Sequence, residues 1–299
     1  MDLDQLRTFA EVATRRSFSR AATALHVTQP AVSKRISTLE QHLGAPLFDR
    51  VGRVVLLTQA GSQLLPVALD ILQRLNDAAV SVKNSTGAIG GPLAIATSHH
   101  VGLHRLPQIL RAFTARHPEV QLQLRFEDSE VAHELVRTGA SELAVVTLDP
   151  VHATALAYVP LWTDVLRFVA CPEHPLAGAP IRLAELCEHP AILPGPSTYT
   201  GRIISALFAG SSLELNITMS TNYLETIRML AAIGLGWTAL PETMIDASLA
   251  SLQVTDAPVL SRELGCVLHP ARTLSNAARA FMALIAPHTA PPADRPRLR

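Results

Sequence analysis

The first 45 residues carry apolar side chains at helical spacing in three separate stretches. Residues 2–14, 17–25 and 28–43 each place these side chains three and four positions apart, which predicts three short amphipathic helices. The apolar stripe of the third helix comprises Val32, Ile36, Leu39 and Leu43. Thr28 is placed to cap that helix through its hydroxyl, and Pro30 falls in the first turn, where a missing N–H is harmless. The three helices together predict one small core.

The next 45 residues predict a hairpin followed by a long helix. In 48–57, basic and β-branched residues alternate around Gly52, which is the pattern of a short hairpin or wing. From Thr58 onward, small and aliphatic residues keep a heptad spacing, which predicts a helix that pairs with a second copy of the chain. This heptad seam comprises Leu64, Ala68, Ile71, Leu75, Ala78 and Val82. A helix packed only on its own domain is the alternative that the pattern leaves open. The turn-rich segment 83–91 is expected to end the helix.

From Pro92 onward, short apolar strands alternate with helices of about ten residues, a pattern typical of βα units around mostly parallel sheets. The predicted strands are 93–97, 120–126, 143–148, 166–170, 213–219, 237–240 and 265–268, and the predicted helices are 103–117, 129–137, 200–208, 224–232 and 274–285. Because the set repeats after about residue 165, we expect two similar α/β lobes.

Composition and charge indicate where the chain meets a partner. Of its 299 residues, 48% are apolar and 17% charged, as in globular domains with buried cores. Lys+Arg and Asp+Glu both number 25, so any basic character is local. Within 15–35 the charged residues are all basic, a pattern that attracts a polyanion such as DNA. These basic residues are Arg15, Arg16, Arg20, Lys34 and Arg35. An ordinary solvated helical hairpin with a basic face is the alternative interpretation.

Three motifs in this region resemble those of the LysR-type transcriptional regulators. They are A-A-x-x-L-x-x-T-Q-P-A-V-S-x-x-I at 21–36, L-E-x-x-L-G at 39–44 and L-F-x-R at 47–50. The resemblance implies an α + α/β architecture, in which an N-terminal winged helix-turn-helix and a long linker helix precede a two-lobed α/β effector domain resembling periplasmic solute-binding proteins. The expected divisions are a DNA-binding domain at 1–58, a dimerisation helix and hinge at 59–90, an effector domain at 91–290 (lobe I 91–162 plus 268–290, lobe II 163–267) and a disordered tail at 291–299.

Such a protein would bind double-stranded promoter DNA as a homodimer joined by the linker helix, and the resemblance implies a homotetramer. Side chains on the exposed face of the third helix reach base edges and phosphates in the major groove, and arginines of the wing follow the backbone or enter the minor groove. The expected DNA contacts are Thr28, Gln29, Pro30, Ser33, Lys34, Arg35, Arg50 and Arg53.

A small-molecule effector is expected where strands end and helices begin, because helix N-termini offer free N–H groups and a partial positive charge. Two such places are Thr97, Ser98 and His99 after the first strand of this region, and Ser197 and Thr198 after the loop 193–196. Thr147, at the end of another strand, is a further candidate. The resemblance implies effector contacts for Ser98 and Thr198, although Ser and Thr also cap helices that bind nothing. Because no cluster of Arg or Lys is evident there, we expect a small carboxylate in preference to a multiply charged phosphate, and an aromatic or extended acid fits equally well.

Other classes of protein find little support. The chain lacks the G-x-S-x-G, phosphate-loop, H-E-x-x-H and post-strand G-x-G-x-x-G motifs of common α/β enzymes, and we expect no catalytic residue, cofactor or metal. A thiol-based redox sensor would need two reactive cysteines close together, whereas Cys171, Cys187 and Cys266 are far apart in sequence. A secreted solute-binding protein would need a signal peptide, but the chain opens with MDLDQL, so we expect a cytoplasmic protein without a membrane span.

Overall fold

The structure is a computed structural model that describes residues 1–51, 54–151 and 155–286. It divides into two compact units, of which one spans Met1–Thr86 and the other begins at Gly87. The expected disordered tail at 291–299 lies outside the described residues. No helix of the described part is long and apolar enough to cross a membrane.

Three helices form the core of the first unit: α1 (Leu3–Arg15), α2 (Phe18–Ala24) and α3 (Gln29–Leu43). Asp2 caps α1 in a reciprocal capping box with Gln5, and Ser17 caps α2. The apolar faces of the helices meet in a single cluster. Its buried members include Leu6, Phe9, Val12, Phe18, Ala21, Val32, Ile36 and Leu39. Two of the detailed predictions for α3 are wrong. Leu43 is 40% exposed, because it stands in the last turn before the left-handed Gly44, and the Thr28 side chain makes no capping hydrogen bond.

Two short strands follow, β1 (Phe48–Val51) and β2 (Val54–Leu57), which pair antiparallel as the predicted wing. Phe48 at the base of the wing packs against Phe9 and Phe18, so the wing is fixed to the helical core. The predicted DNA contact Arg53 lies outside the described residues, and of Arg50 only the backbone is described.

The long helix α4 (Gln59–Asn84) begins at Thr58, whose hydroxyl accepts a hydrogen bond from the Gly61 N–H. The heptad seam of this helix divides into two halves. The members Leu64, Ala68 and Ile71 pack on the core of their own unit, whereas Leu75, Ala78 and Val82 are exposed. The alternative of a helix packed on its own domain therefore applies to the first half of the seam.

The second unit contains eleven strands and seven α-helices in its described part. In chain order they are β3 (Gly91–Thr97), α5 (His99–His104), α6 (Pro107–Arg116), β4 (Val120–Phe126), α7 (Ser129–Thr138), β5 (Leu143–Thr147), β6 (Ala157–Ala170), β7 (Pro180–Ile181), α8 (Leu183–Cys187), β8 (Ala191–Leu193), α9 (Tyr199–Gly210), β9 (Ile217–Ser220), α10 (Leu224–Ala232), β10 (Thr238–Pro241), β11 (Ala250–Ser251), β12 (Gln253–Val254), β13 (Leu260–Leu268) and α11 (Asn276–Ile285).

The predicted helix 103–117 is interrupted. It is instead the two helices α5 and α6, of which α5 begins four residues earlier than predicted, at His99. Pro107 is responsible for the break, because it has no N–H to continue the helical hydrogen bonding, although Leu106 before it keeps helical φ and ψ. Pro107 then occupies the first turn of α6, where the missing N–H costs nothing.

The central sheet is mixed, not mostly parallel as predicted. Its strand order is β10-β6-β13-β5-β3-β4, with β11 paired to the edge of β6. The strands β3, β4 and β5 are parallel to one another, but β13 is antiparallel to both β5 and β6. One continuous sheet therefore runs through both lobes, and lobe II has two further parallel pairs, β8 with β9 and β7 with β12.

The long strands β6 and β13 pass from one lobe to the other. Along β6, Trp162 belongs to the core of lobe I and Leu166 to the core of lobe II, so the strand changes cores between these two residues. Along β13, Leu260 belongs to lobe II, but Leu264 already belongs to lobe I. The second crossing therefore lies several residues before the expected 267–268, because the strand changes cores inside its length and not at its end.

Candidate functional site

The exposed face of α3 carries most of the predicted DNA contacts. Thr28, Gln29, Pro30 and Lys34 are exposed and Ser33 is half-buried, on the side away from the buried stripe. The Gln29 side chain donates a hydrogen bond to the Ser33 hydroxyl at 3.0 Å, so these two polar groups are neighbours one helical turn apart.

Arg35 differs from the other members of this face. One of its guanidinium nitrogens lies 3.4 Å from the Thr8 hydroxyl, to which it donates, and another lies 3.8 Å from a carboxylate oxygen of Asp4. Both partners belong to α1. The side chain therefore leans toward α1 and ties the two helices together, whereas Lys34 has no ion pair in the described part of the chain.

A cleft between the two lobes contains four of the six predicted effector contacts. It is lined by Ser98, His99, His100, Asp128, Ser129, Glu130, Thr147, Pro194, Thr198, Tyr199, Thr200, Asn222, Leu224 and Arg262, and encloses about 50 Å³. The predicted residues Thr97 and Ser197 do not line it. Thr97 is fully buried with its hydroxyl donated to the Val145 carbonyl at 2.8 Å, and Ser197 is exposed.

Ser98 and Thr198 stand at equivalent places on the two lobes, each as the residue that caps a helix. The Ser98 hydroxyl accepts from the Val101 N–H, and the Thr198 hydroxyl accepts from the Gly201 N–H at 3.0 Å. Thr198 also donates to the Gly195 carbonyl at 2.7 Å, so most of its hydrogen-bonding capacity is used within the protein. Gly201 has to be glycine, because a Cβ there would lie 2.1 Å from the Gly195 carbonyl oxygen.

Side chains of lobe I hold the cleft closed by bonding to lobe II. A Glu130 carboxylate oxygen accepts a hydrogen bond from the backbone N–H of Tyr199, in the first turn of α9. The Asn222 amide donates to Asp128 at 2.7 Å. Burial raises the pKa of Glu130, because the charged carboxylate has less contact with water in this position than in the unfolded chain. The N-terminus of α9 thus already binds a carboxylate, which the protein supplies itself.

A buried ion pair joins the two crossing strands beside the cleft. Asp164 on β6 and Arg262 on β13 are direct cross-strand partners, and their side chains are 0% and 4% exposed. The guanidinium lies 3.0 Å from the carboxylate and also donates to the Thr200 hydroxyl at 2.9 Å. Arg105 donates to the other oxygen of Asp164 at 2.7 Å. The expectation that no arginines gather near the cleft is therefore wrong.

The pKa of Asp164 lies below its ordinary range. Burial alone would raise this pKa, but the neighbouring His100 ring and the charges of Arg262 and Arg105 outweigh that effect. Burial lowers the pKa of His100, whose ring is 5% exposed. The ionised Asp164 therefore neutralises part of the positive charge of the two arginines.

Sequence patterns did not identify several residues of the cleft. Glu130, Asn222 and Arg262 approach it from α7, from the residues just before α10 and from the middle of β13, so no local spacing connects them. One available signal was the alternation at the start of β13, which places Arg262 on the same side of the strand as Leu260 and Leu264, because a charged residue facing a core needs a partner there.

The cysteines give no support for a thiol sensor. Burial raises the pKa of Cys266 to about 12, and burial also raises the pKa of Cys187. Cys171 is buried, and all three are free thiols. Reactive thiols have a lowered pKa and access to solvent, so Cys266 and Cys187 are in the wrong surroundings.

Comparison with known proteins covers both units. Residues 3–62 match the family described as bacterial regulatory helix-turn-helix protein, lysR family, and residues 86–290 match the LysR substrate binding domain. A probable RuBisCO transcriptional regulator of Synechocystis sp. is 30% identical over 295 residues, which cover 95% of this chain and 86% of the relative. The RuBisCO operon transcriptional regulator of Acidithiobacillus ferrooxidans is 32% identical over 286 residues, which cover 94% of this chain and 92% of the relative.

A solved structure shows the same fold along nearly the whole chain. A full-length OxyR variant from Pseudomonas aeruginosa has a TM-score of 0.70 at 22% identity, covering 97% of this chain and 94% of its own. The winged helix-turn-helix, the long helix and the two-lobed α/β domain predicted from the sequence are thereby confirmed. With family matches at both ends and relatives along its length, the chain belongs to the LysR family of transcriptional regulators.

Proposed function

We propose that this LysR-type regulator binds promoter DNA through α3 and the wing, and that a small organic anion between the lobes controls its activity. The observation that carries the effector proposal is the hydrogen bond from the Tyr199 N–H to the Glu130 carboxylate. A helix N-terminus that binds an internal carboxylate offers the donors that an external carboxylate needs. The effector would displace Glu130 and occupy its place.

The charge of the cleft favours one negative charge over two. Arg262 is the only basic side chain among the lining residues except for the two histidines, and Asp164 already pairs with it. Asp128 and Glu130 line the same cavity. A dianionic phosphate would meet two carboxylates without a free arginine, so a monocarboxylate is the better match.

For the effector, the test is a thermal-shift screen of monocarboxylates, followed by calorimetry on Ser98→Ala and Thr198→Ala. Ser275→Ala is the matched control, because Ser275 also caps a helix, α11, but does not line the cleft. Loss of effector affinity in the first two variants with no change in the third supports the site. If an effector is found whose affinity none of the three changes, it binds elsewhere.

For DNA, the proposed base-reading side chains are Gln29, Ser33 and Lys34, with Thr28 and Pro30 at the same end of α3. Arg50 and Arg53 of the wing are proposed to contact the DNA backbone or minor groove. Arg35 is proposed to hold α3 against α1, with any DNA contact secondary, because its side chain has partners on α1. The exposure of Thr28, Gln29, Pro30 and Lys34, with Ser33 half-buried beside them, supports this assignment.

The DNA test compares the two lysines of the chain. Lys34→Ala removes a proposed DNA contact, whereas Lys83→Ala removes an equal charge from the end of α4. Genomic fragments retained by the purified protein supply the specific DNA, and random duplex at the same salt concentration is the reference. A selective loss of affinity for the specific fragments in Lys34→Ala supports the proposal. Equal affinity of the unsubstituted protein for specific and random duplex would contradict it.

The oligomer is proposed to be a cytoplasmic homodimer joined through the second half of the seam, with two dimers forming a homotetramer. The exposed Leu75, Ala78 and Val82, spaced three and four residues apart on one helical face, support the dimer, because isolated apolar stripes of this kind usually meet another helix.

A further inference from the structure

Three side chains of metal-ligand type come together at the side of the cleft. His100 and His104 belong to α5 in lobe I, and Glu225 stands in the first turn of α10 in lobe II. One nitrogen of each ring and one carboxylate oxygen all lie within 4.8 Å of one another. In the described ranges, no other three His, Cys, Asp or Glu residues meet this closely.

Helix geometry explains why the two histidines face the same way. Residues four apart lie on one face of a helix, and the His100 and His104 rings are 4.9 Å apart between centroids. The His104 Nε2 lies 3.1 Å from a carboxylate oxygen of Glu225, a contact that joins the lobes across 121 residues of sequence. His104 is 40% exposed and Glu225 35%, so both side chains have room to adjust.

The surroundings of the buried His100 ring also indicate a bound ion. Its ring is 95% buried, with the Nε2 atom 3.3 Å from an Asp164 carboxylate oxygen. The Nδ1 atom has no hydrogen-bond partner in the described part of the chain. Buried polar atoms without partners are rare, because they lose water and gain nothing in return. A metal ion beside the ring would give one nitrogen a partner.

We propose that His100, His104 and Glu225 bind a zinc ion that links lobe I to lobe II. Two imidazole nitrogens and one carboxylate oxygen form a ligand set that zinc accepts, with a fourth position left for water or another ligand. Calcium and magnesium prefer all-oxygen sites and do not suit two histidines. Asp164, close to the His100 ring, is placed to orient the imidazole as an outer carboxylate.

The geometry requires only small side-chain movements. Tetrahedral zinc with bonds of about 2.0–2.1 Å brings its ligand atoms to about 3.4 Å from each other. The longest separation in the cluster is at most 4.8 Å, and rotations of His104 and Glu225 can shorten it without moving the buried His100. Because the ligands come from both lobes, zinc binds the closed form more tightly than an open one. An effect of zinc on DNA binding, through the closed form of the lobes, rests on the proposed function. The metal site itself does not.

The test is calorimetric titration of zinc into the full chain after chelator treatment and dialysis, with magnesium as the comparison ion. We expect one zinc ion per chain in this site, a rise in the melting temperature of the second unit, and no response to magnesium. His104→Ala and Glu225→Gln should each weaken zinc binding by at least the roughly 10- to 100-fold that loss of an outer-shell partner alone costs. His117→Ala and Glu173→Gln are the matched controls and should bind zinc as the unsubstituted chain does.

Cobalt substitution gives a readout that does not depend on activity. Co²⁺ in a tetrahedral site absorbs strongly in the visible range, and that band should be lost in His104→Ala and retained in His117→Ala. Absence of zinc binding by the unsubstituted chain, or full affinity in both His104→Ala and Glu225→Gln, would overturn the metal site. DNA and carboxylate binding measured in chelator test the proposed function separately, so failure of one proposal does not look like failure of the other.

Discussion

Replacing Asp164 by asparagine should destabilise the second unit strongly, because it leaves Arg262 charged, buried and unpaired. The Asp164 side chain is 0% exposed and that of Arg262 4%, and they lie 3.0 Å apart. Removing one partner from a buried ion pair costs about 3–5 kcal/mol, far more than the net value of the pair itself. For a domain of this size each kcal/mol lowers the melting temperature by roughly 2–4 °C, so a fall of roughly 6–20 °C is expected.

The assay is differential scanning calorimetry of the full chain, and the transition of the second unit is the one measured. The matched control is Glu242→Gln, which removes a carboxylate from the Arg167–Glu242 pair, whose side chains are about half exposed. Water screens that pair, so its loss should cost about 0–1 kcal/mol. A double variant, Asp164→Leu with Arg262→Met, should recover much of the stability because no unpaired charge remains. If Asp164→Asn costs no more than Glu242→Gln, the buried pair does not hold the crossing strands as argued.

Three further outcomes are expected from the same structure. Burial raises the folded-state pKa of Glu130, so the folded second unit binds this proton more tightly than the unfolded chain does, and its free energy of unfolding falls as the pH rises through that pKa. Urea unfolding between pH 4.5 and neutrality measures this effect, and Glu130→Gln should lack this part of the pH dependence. Leu75→Asp should dissociate the proposed dimer in sedimentation experiments while the first unit stays folded, whereas Ile71→Asp should lower the melting temperature of that unit. Dissociation by Ile71→Asp and destabilisation by Leu75→Asp would contradict the division of the seam. Cys266, with its pKa raised to about 12, should be alkylated at pH 8 only after unfolding, as measured by mass spectrometry. If the native protein is labelled as fast as the unfolded protein, the thiol is not buried.

Local sequence patterns predicted the elements and the core correctly where residues close in sequence also pack against one another in the fold. The helical stripes of α1, α2 and α3 pack on one another, so their spacing indicated the core directly. The strand 120–126 and the helix 224–232 have the predicted bounds, because sharp changes in composition flank both. The helix break before Pro107 was missed, since the apolar spacing continues through it while the helical hydrogen bonding, without an N–H at Pro107, does not.

Local sequence patterns did not predict which distant strands pair with each other. Only residues 166–170 of β6 were predicted as a strand, because Thr163 and Asp164 interrupt the apolar run in its middle. Once β13 is placed beside β6, Asp164 faces Arg262, and both polar residues have a partner that the sequence does not reveal. The same pairing makes the sheet mixed and moves the second lobe crossing into the interior of β13.

The ion pair at this crossing also connects the cleft to both lobes. Asp164 accepts from Arg105, at the end of α5 in lobe I, while Arg262 donates to Thr200 in the first turn of α9 in lobe II. The next residue toward the N-terminus, Tyr199, gives its N–H to Glu130. A ligand that displaces Glu130 therefore changes the surroundings of a helix that is tied directly to the crossing strands. Such a ligand shifts the lobes only by its difference in affinity for the closed and open forms, and a tenfold difference corresponds to about 1.4 kcal/mol. Because the pair is fixed by hydrogen bonds on both sides, we expect the lobes to move about the crossing strands as two rigid bodies, with α5 and α9 following their own lobes.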